Sequence, residues 1–493
     1  MTAYDDACGH FRRLDRLAHL NSIVRWDQRA NMPPQGNEAR SQALAELEGL
    51  QHEMATSAAL GMLLQQASSE ELQDVQRANL REMARAWRLA TALPDALVKE
   101  STVAGGHCEH AWRTQRPRND WEGFAVNLRE VVRLAREQAH CLAAGTDRSP
   151  YEALVDLYEP GVRCAEIDRI FADLKAWLPA LMQEVLQRQR EQSVIVPEGP
   201  FPKAAQRALG IETMQLMGFN FEAGRLDESA HPFCGGVPED VRLTTRYDEA
   251  NFLRALMGVI HETGHGRYEQ NLPREWLGLP VSQARSMGIH ESQSLSFEMQ
   301  LARHPGFVYC LRPLLVRHLG EQPAFEPENL TRLLTRASRG LIRVDADEVS
   351  YPAHVILRYE IERPLIEGQI EVDDIPGLWD SSMQRLFGLD TRGNYRDGCM
   401  QDVHWAQGLF GYFPTYTLGA LYAAQWFASM RRDSNGVDRQ IAGGELRGVF
   451  DWLRDRIWSQ GSRWETSELV RRATGEPLNA AHFRRHLESR YLG

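Results

Sequence analysis

Two histidines with a glutamate between them stand four residues apart in His261-Glu262-Thr263-Gly264-His265. On a helix that spacing is slightly more than one turn, so both imidazoles leave one face and can share a tetrahedral metal ion. Glu262 then lies beside the ion, placed to take a proton from a water molecule. Phe252, Leu253, Leu256, Val259 and Ile260 precede the motif at helical spacing, which supplies the helix. The plain alternative is a pair of ordinary histidines around a solvated glutamate. With 16 histidines in 493 residues a chance match is uncommon, and the apolar run makes it rarer.

Two histidines leave a catalytic ion short of a ligand. Position 271, where a third histidine could follow, is Asn. Downstream stands Gly288-Ile289-His290-Glu291-Ser292-Gln293, opening a second amphipathic run with Leu295, Met299 and Leu301. A carboxylate on such a returning helix makes Glu291 the leading third ligand and Glu298 the fallback. Either glutamate taken alone would be an ordinary solvated helix residue. No cysteine adjoins the motif, which disfavours a closed structural zinc site.

The elements that must hold these groups are mostly helical. Apolar residues recur at three- and four-residue spacing over 39–67, 70–93, 121–144 and 162–191, and again in closing helices near the end, one opened by Thr466. The clearest strand is 240–247, with Val241, Leu243 and Thr245 on one face and Arg242, Thr244 and Arg246 on the other. Gly-Gly and Pro precede it as turn chemistry. With no repeat or flexible linker, the chain reads as one mainly α body, residues 1–493, with a small sheet near 240. Its parts are a helical wall to about 195, a site region over 196–430, and closing helices over 431–493.

Composition narrows the class. Fifty-six basic against 67 acidic residues give a net charge of −11, which argues against a dedicated nucleic-acid binder. Seven scattered cysteines without a CxxC suggest reduced thiols in a cytoplasmic compartment. The first twenty residues carry charges every few positions, so no secretory leader is expected. From Val403 to Met430 there is no formal charge, but His404, Gln407, Pro414 and Gln425 make a membrane helix unattractive; a buried cleft wall suits the stretch better.

Several segments together resemble the carboxypeptidase Taq family of metallocarboxypeptidases: 26–34 (WDQRANMPP), 151–161, 224–233, Asp240-Val241-Arg242-Leu243-Thr244, HETGH, HESQS, 342–347 (IRVDAD), 354–362, and 398–405 (GCMQDVHW). They run nearly end to end, in order. The resemblance implies a helical body with a deep central groove and a small sheet beside the active site, architecturally related to neurolysin and the angiotensin-converting enzymes. It implies Zn2+, with Co2+ as a working substitute, at His261, His265 and Glu291. It further implies broad release of single residues from peptides with a free C-terminus, by a cytoplasmic homodimer with no nucleic-acid or membrane partner.

Catalysis on that pattern takes Glu262 as general base and needs donors for a developing oxyanion. His404, Tyr412 and Tyr416 are the candidates, each tyrosine otherwise an ordinary buried aromatic. An exopeptidase must also read the substrate α-carboxylate, for which arginine offers a planar fork. Arg343 is favoured, with Arg242 and Arg358 behind it; Arg242 could instead brace Asp240, and Arg358 could pair with Glu360 or Glu362. His231 and the edge of the 240–245 strand are expected to hold the substrate backbone. Two readings compete: an oligopeptidase cutting internally in the same groove, and a helical scaffold that keeps the metal but turns nothing over.

Overall fold

The computed structural model describes residues 2–229 and 232–493. Its first helix, Ala3–Ala30, starts where Thr2 and Asp5 cap each other: the Thr2 hydroxyl accepts the Asp5 N–H and the Asp5 carboxylate accepts the Thr2 N–H. The periodic run at 39–67 divides into Asn37–Ala55 and Ala58–Ala67. Between them Thr56 turns its hydroxyl back onto the His52 carbonyl, and Ser57 takes extended dihedrals. Asp74–Ala92 stops before Leu93, the residue ahead of Pro94, as pre-proline sterics favour. Trp121–Ala143 and Cys164–Arg190 fill the longer runs and bury their apolar stripes.

Burial is divided, and the division makes a groove. The main core gathers Leu128, Phe171, Ile260, Ile289, Leu357, Trp426 and Trp458. A separate core under the N-terminal helices joins Phe11, Leu60, Leu64, Met83 and Leu279. Between these two packed masses lies a cleft of about 1500 Å³. Among the described residues, twenty α-helices and one three-stranded sheet account for the architecture, so the chain is mainly α.

The sheet consists of β1 (Gly224–Glu228), β2 (Phe233–Val237) and β3 (Asp240–Thr245), in the order β1-β3-β2. β1 runs parallel to β3, and β2 antiparallel with Cys234 opposite Leu243. Val241 and Leu243 pack with Val259 and Met214 on the helical side. One expectation is corrected here. Both sides of β3 are paired, so the 240–245 strand has no free edge to offer a peptide; β2 is the edge whose Phe233, Cys234, Gly236 and Val237 line the groove. The uncharged stretch near 403–430 becomes a loop followed by the buried helix Pro414–Asp433, and no helix among the described residues is long and apolar enough to cross a membrane.

Candidate metal centre and groove

Helix Phe252–Gln270 sinks Leu256, Val259 and Ile260 into the interior and turns His261, Glu262 and His265 toward the groove. Helix Met287–Leu295 crosses it and delivers Glu291. Gly264 permits that crossing: a Cβ there would stand 2.6 Å from the Ser294 Cα. Gly419, on Pro414–Asp433, yields on the other side, where a Cβ would come within 2.7 Å of the Glu291 Cγ. Two glycines thus let neighbouring helices pack closely against the helix that carries Glu291.

Glu291 Oε2 lies 3.7 Å from His261 Nε2 and 3.5 Å from His265 Nε2. Donors on a tetrahedral ion at about 2.1 Å stand roughly 3.4 Å apart, so the trio fits a small divalent metal. Among the described residues it is the one cluster of three such groups whose ligand atoms fall within 4.8 Å of each other.

Outer partners fix how the rings present themselves. His261 Nδ1 lies 2.9 Å from Glu298 Oε2, and a carboxylate can only accept, so Nδ1 carries the proton. His290 Nε2 donates to Glu269 Oε1 at 2.7 Å, which leaves His290 Nδ1 to accept from His265 Nδ1 at 2.6 Å. Both motif rings are therefore held with Nε2 facing Glu291, the orientation a shared metal would need. Glu298, the fallback ligand, thus acts as an outer partner of His261 and bonds Arg303 at 2.8 Å.

Without a metal the trio holds a proton instead. Burial opposes charge on His261, yet Glu291 and Glu298 outweigh it and raise the imidazole to about 10. Burial presses His265 down to about 4. Against its own burial, Glu291 is drawn down to about 2 by His261 and then His265. Glu262, buried at the groove, is pushed up to about 7 by burial, with His261 opposing and Glu291 adding to the rise.

Tyr412 and Tyr416 line the groove with ring centres 5.3 Å apart, and burial raises both phenols well above their ordinary value, so both keep their protons. His404 stands behind them, its Nε2 3.3 Å from the Tyr416 hydroxyl. Burial, and then the charge of Arg343, depresses His404 to about 4, so the imidazole is neutral.

The three arginines are all engaged. Arg343 bonds Asp402 at 2.9 Å and the Tyr351 hydroxyl at 2.6 Å, and its guanidinium carbon lies 5.0 Å from the Tyr416 ring centre. Arg358, with 0% exposure, bonds the other Asp402 oxygen at 2.7 Å and the His354 carbonyl at 2.6 Å. One buried carboxylate therefore joins both, a layer behind Tyr416. Arg242 pairs with Asp240 at 2.8 Å and lies over the Trp26 ring at 4.4 Å, on the sheet face away from the motif helix. His231 lies outside the described residues.

Sequence reasoning missed His290, Glu269 and Arg303 as partners. Glu269 had a legible signal, since it follows His265 by four residues on the same helix face. It also missed the far wall, where Phe11, Arg12, Asp15 and His19 face the site alongside Glu82 and Arg85; only the tertiary fold unites those segments.

Comparison with known proteins adds a second line. Residues 7–491 match the family model described as carboxypeptidase Taq (M32) metallopeptidase. The chain is 38% identical to thermostable carboxypeptidase 1 of Thermus thermophilus, over 99% of this chain and 98% of that one. It is 32% identical to carboxypeptidase 1 of Bacillus subtilis, over 98% and 97% of the two chains. The structure of Trypanosoma cruzi metallocarboxypeptidase 1 superposes with a TM-score of 0.98 at 46% identity, over 100% of this chain and 99% of that one.

Proposed function

The chain belongs to the carboxypeptidase Taq (M32) metallopeptidase family, and from that premise we propose that it is a zinc-dependent carboxypeptidase releasing single residues from peptide C-termini with broad side-chain tolerance. The observation that carries the proposal is the convergence of His261, His265 and Glu291 beside Glu262 in one groove. In this reading those three residues hold the ion, with Co2+ as a working substitute. When bound, the metal supplies Lewis acidity, lowering the pKa of water and polarising the scissile carbonyl.

The remaining chemistry belongs to the chain's own groups. Glu262 accepts a proton from the attacking water at its carboxylate and delivers it to the leaving amine. Burial raises this carboxyl in the metal-free protein, and a dication beside it works the other way, which keeps the carboxylate available as a base. The Tyr412 and Tyr416 hydroxyls, kept protonated, are the donors toward the developing oxyanion. Neutral His404 orients Tyr416 from behind. β2, the outer strand along the groove, is suited to holding an extended peptide by strand addition, with His231 just before it in sequence.

Arg343 remains the proposed reader of the substrate carboxylate, because it is the arginine that touches the tyrosine wall. Arg358 backs it by sharing Asp402, and Arg242 serves the sheet. One observation favours the rival internal-cutting enzyme: each of these arginines already has a carboxylate partner. Paired free-acid and amidated peptides separate the two. Arg343→Ala should damage cleavage of the free acid specifically, and equal rates on both peptides by the unmodified protein would favour internal cutting.

Seven unpaired cysteines support a reducing, cytoplasmic setting. A homodimeric state completes the proposal on family resemblance alone.

A further inference from the structure

Glu298, which fixes the His261 ring, does not sit in an ordinary helix. It lies in Ser296–Ala302, a wider π-type segment that continues the Glu291 helix. Such segments have looser backbone geometry and recur at functional sites. A carboxylate there can orient a ligand only if something holds the segment still.

The holding contacts come from the last helix, Ala481–Leu492. Arg490 donates to the Met299 carbonyl and to the Gln300 carbonyl at 3.4 Å, the two residues after Glu298. Arg490 also donates to Glu348 at 2.8 Å, where Tyr491 joins through its hydroxyl at 2.9 Å and His486 through Nε2 at 3.1 Å. Glu348 is wholly buried, yet Arg490, His486 and Arg303 keep its carboxyl far below the usual range despite the cost of burial. Arg303 is the shared cation: it bonds Glu298 and also feels the charge of Glu348. The terminal helix therefore grips the Glu298 segment twice, once by its backbone and once through Glu348 and Arg303.

We propose that Arg490 and Tyr491, at the end of the chain, are positioning residues for His261 and so set how tightly the catalytic metal is held. The inference rests on His261, His265 and Glu291 being the ligands. Neither Arg490 nor Tyr491 touches substrate or metal; each acts through Glu298. Removing the grip lets the Glu298 carboxylate wander, and the His261 ring loses its fixed orientation.

The test is a zinc titration against a chromophoric chelator, using full-length wild type, Arg490→Ala, Arg490→Lys and Tyr491→Phe, with His265→Ala as control. A thermal melt of each metal-free protein accompanies it. Arg490→Ala should lose about tenfold or more in zinc affinity, the range for outer partners of metal ligands, while still folded at the titration temperature. Arg490→Lys should recover part of the loss, because it restores a cation beside Glu348. Tyr491→Phe should weaken binding by a smaller factor. A folded Arg490→Ala protein that melts earlier but binds zinc like wild type overturns the proposal, leaving only a structural contact. If Arg490→Ala does not fold, Tyr491→Phe decides, and unchanged affinity there overturns it. Should His265→Ala bind zinc as tightly as wild type, the ligand assignment itself has failed instead.

Discussion

His265 and His290 meet Nδ1 to Nδ1 at 2.6 Å, and the far nitrogen of His290 rests on Glu269. A ligand histidine is commonly steadied by a carboxylate or carbonyl; here a second imidazole stands between His265 and the carboxylate. The outer ring is the residue next to Glu291, so one helix supplies both a proposed ligand and the orienting partner of another. His290→Ala should accordingly weaken zinc binding by about 10- to 100-fold with Glu291 intact. Equilibrium dialysis with zinc reads this directly, and an affinity within twofold of wild type would remove His290 from the account.

Metal and proton compete for the same place. His261 is raised to about 10 in the metal-free protein, so near neutral pH it is an imidazolium facing Glu291. Zinc binding must expel that proton, so affinity should climb roughly tenfold per pH unit through the neutral range. Calorimetry in buffers of differing ionisation enthalpy should report about one proton released per zinc. A buffer-independent heat would contradict the assignment.

Glu262→Gln keeps the size of the side chain and removes the base. Turnover should fall by at least about 10²-fold while zinc stoichiometry is unchanged. In the metal-free protein burial lifts the Glu262 carboxyl to about 7; a dication beside it works the other way, so the wild-type rate should decline as the carboxylate protonates below the neutral range. A Gln variant with near-normal rates would exclude Glu262 from proton transfer.

Glu159 lies beneath the start of the Glu291 helix, where it accepts the Gly288 N–H and has the Ser286 hydroxyl as a second partner. Burial pushes its carboxyl up to about 8, only partly offset by those hydrogen bonds and by the charge of Arg285. A folded pKa above the unfolded one gives stability that is complete below about 4.5 and lost as pH rises through about 8. Glu159→Gln should flatten this dependence in the metal-free protein. Above about pH 9 the wild type should have lost on the order of 5 kcal/mol that the variant keeps, as chemical denaturation at a series of pH values would reveal. Parallel pH profiles for the two proteins would refute it.

What could be read in advance follows from the range of the interactions. The 3.6-residue period betrays Trp121–Ala143 and Cys164–Arg190 because each buries one stripe. His261, His265 and Glu262 share a helix face, so spacing alone gathers them. β1 and β2 escaped because five residues such as GRLDE and FCGGV carry charge or glycine where a strand signal needs alternation. The arginines show the same limit from the functional side. In sequence Arg358 has Glu360 and Glu362 as nearby partners and Arg343 has none singled out, and only the fold reveals that Asp402 holds both. The π-type turn at Ser296–Ala302 left no mark in the apolar pattern, although it carries the partner of His261.

The most direct test of the central claim is a mass-spectrometric time course of one mixed-sequence peptide with the zinc-loaded protein. A carboxypeptidase should give a ladder of single-residue losses from the C-terminus, suppressed when that end is amidated. Internal fragments, produced equally from the amidated peptide, would contradict that claim.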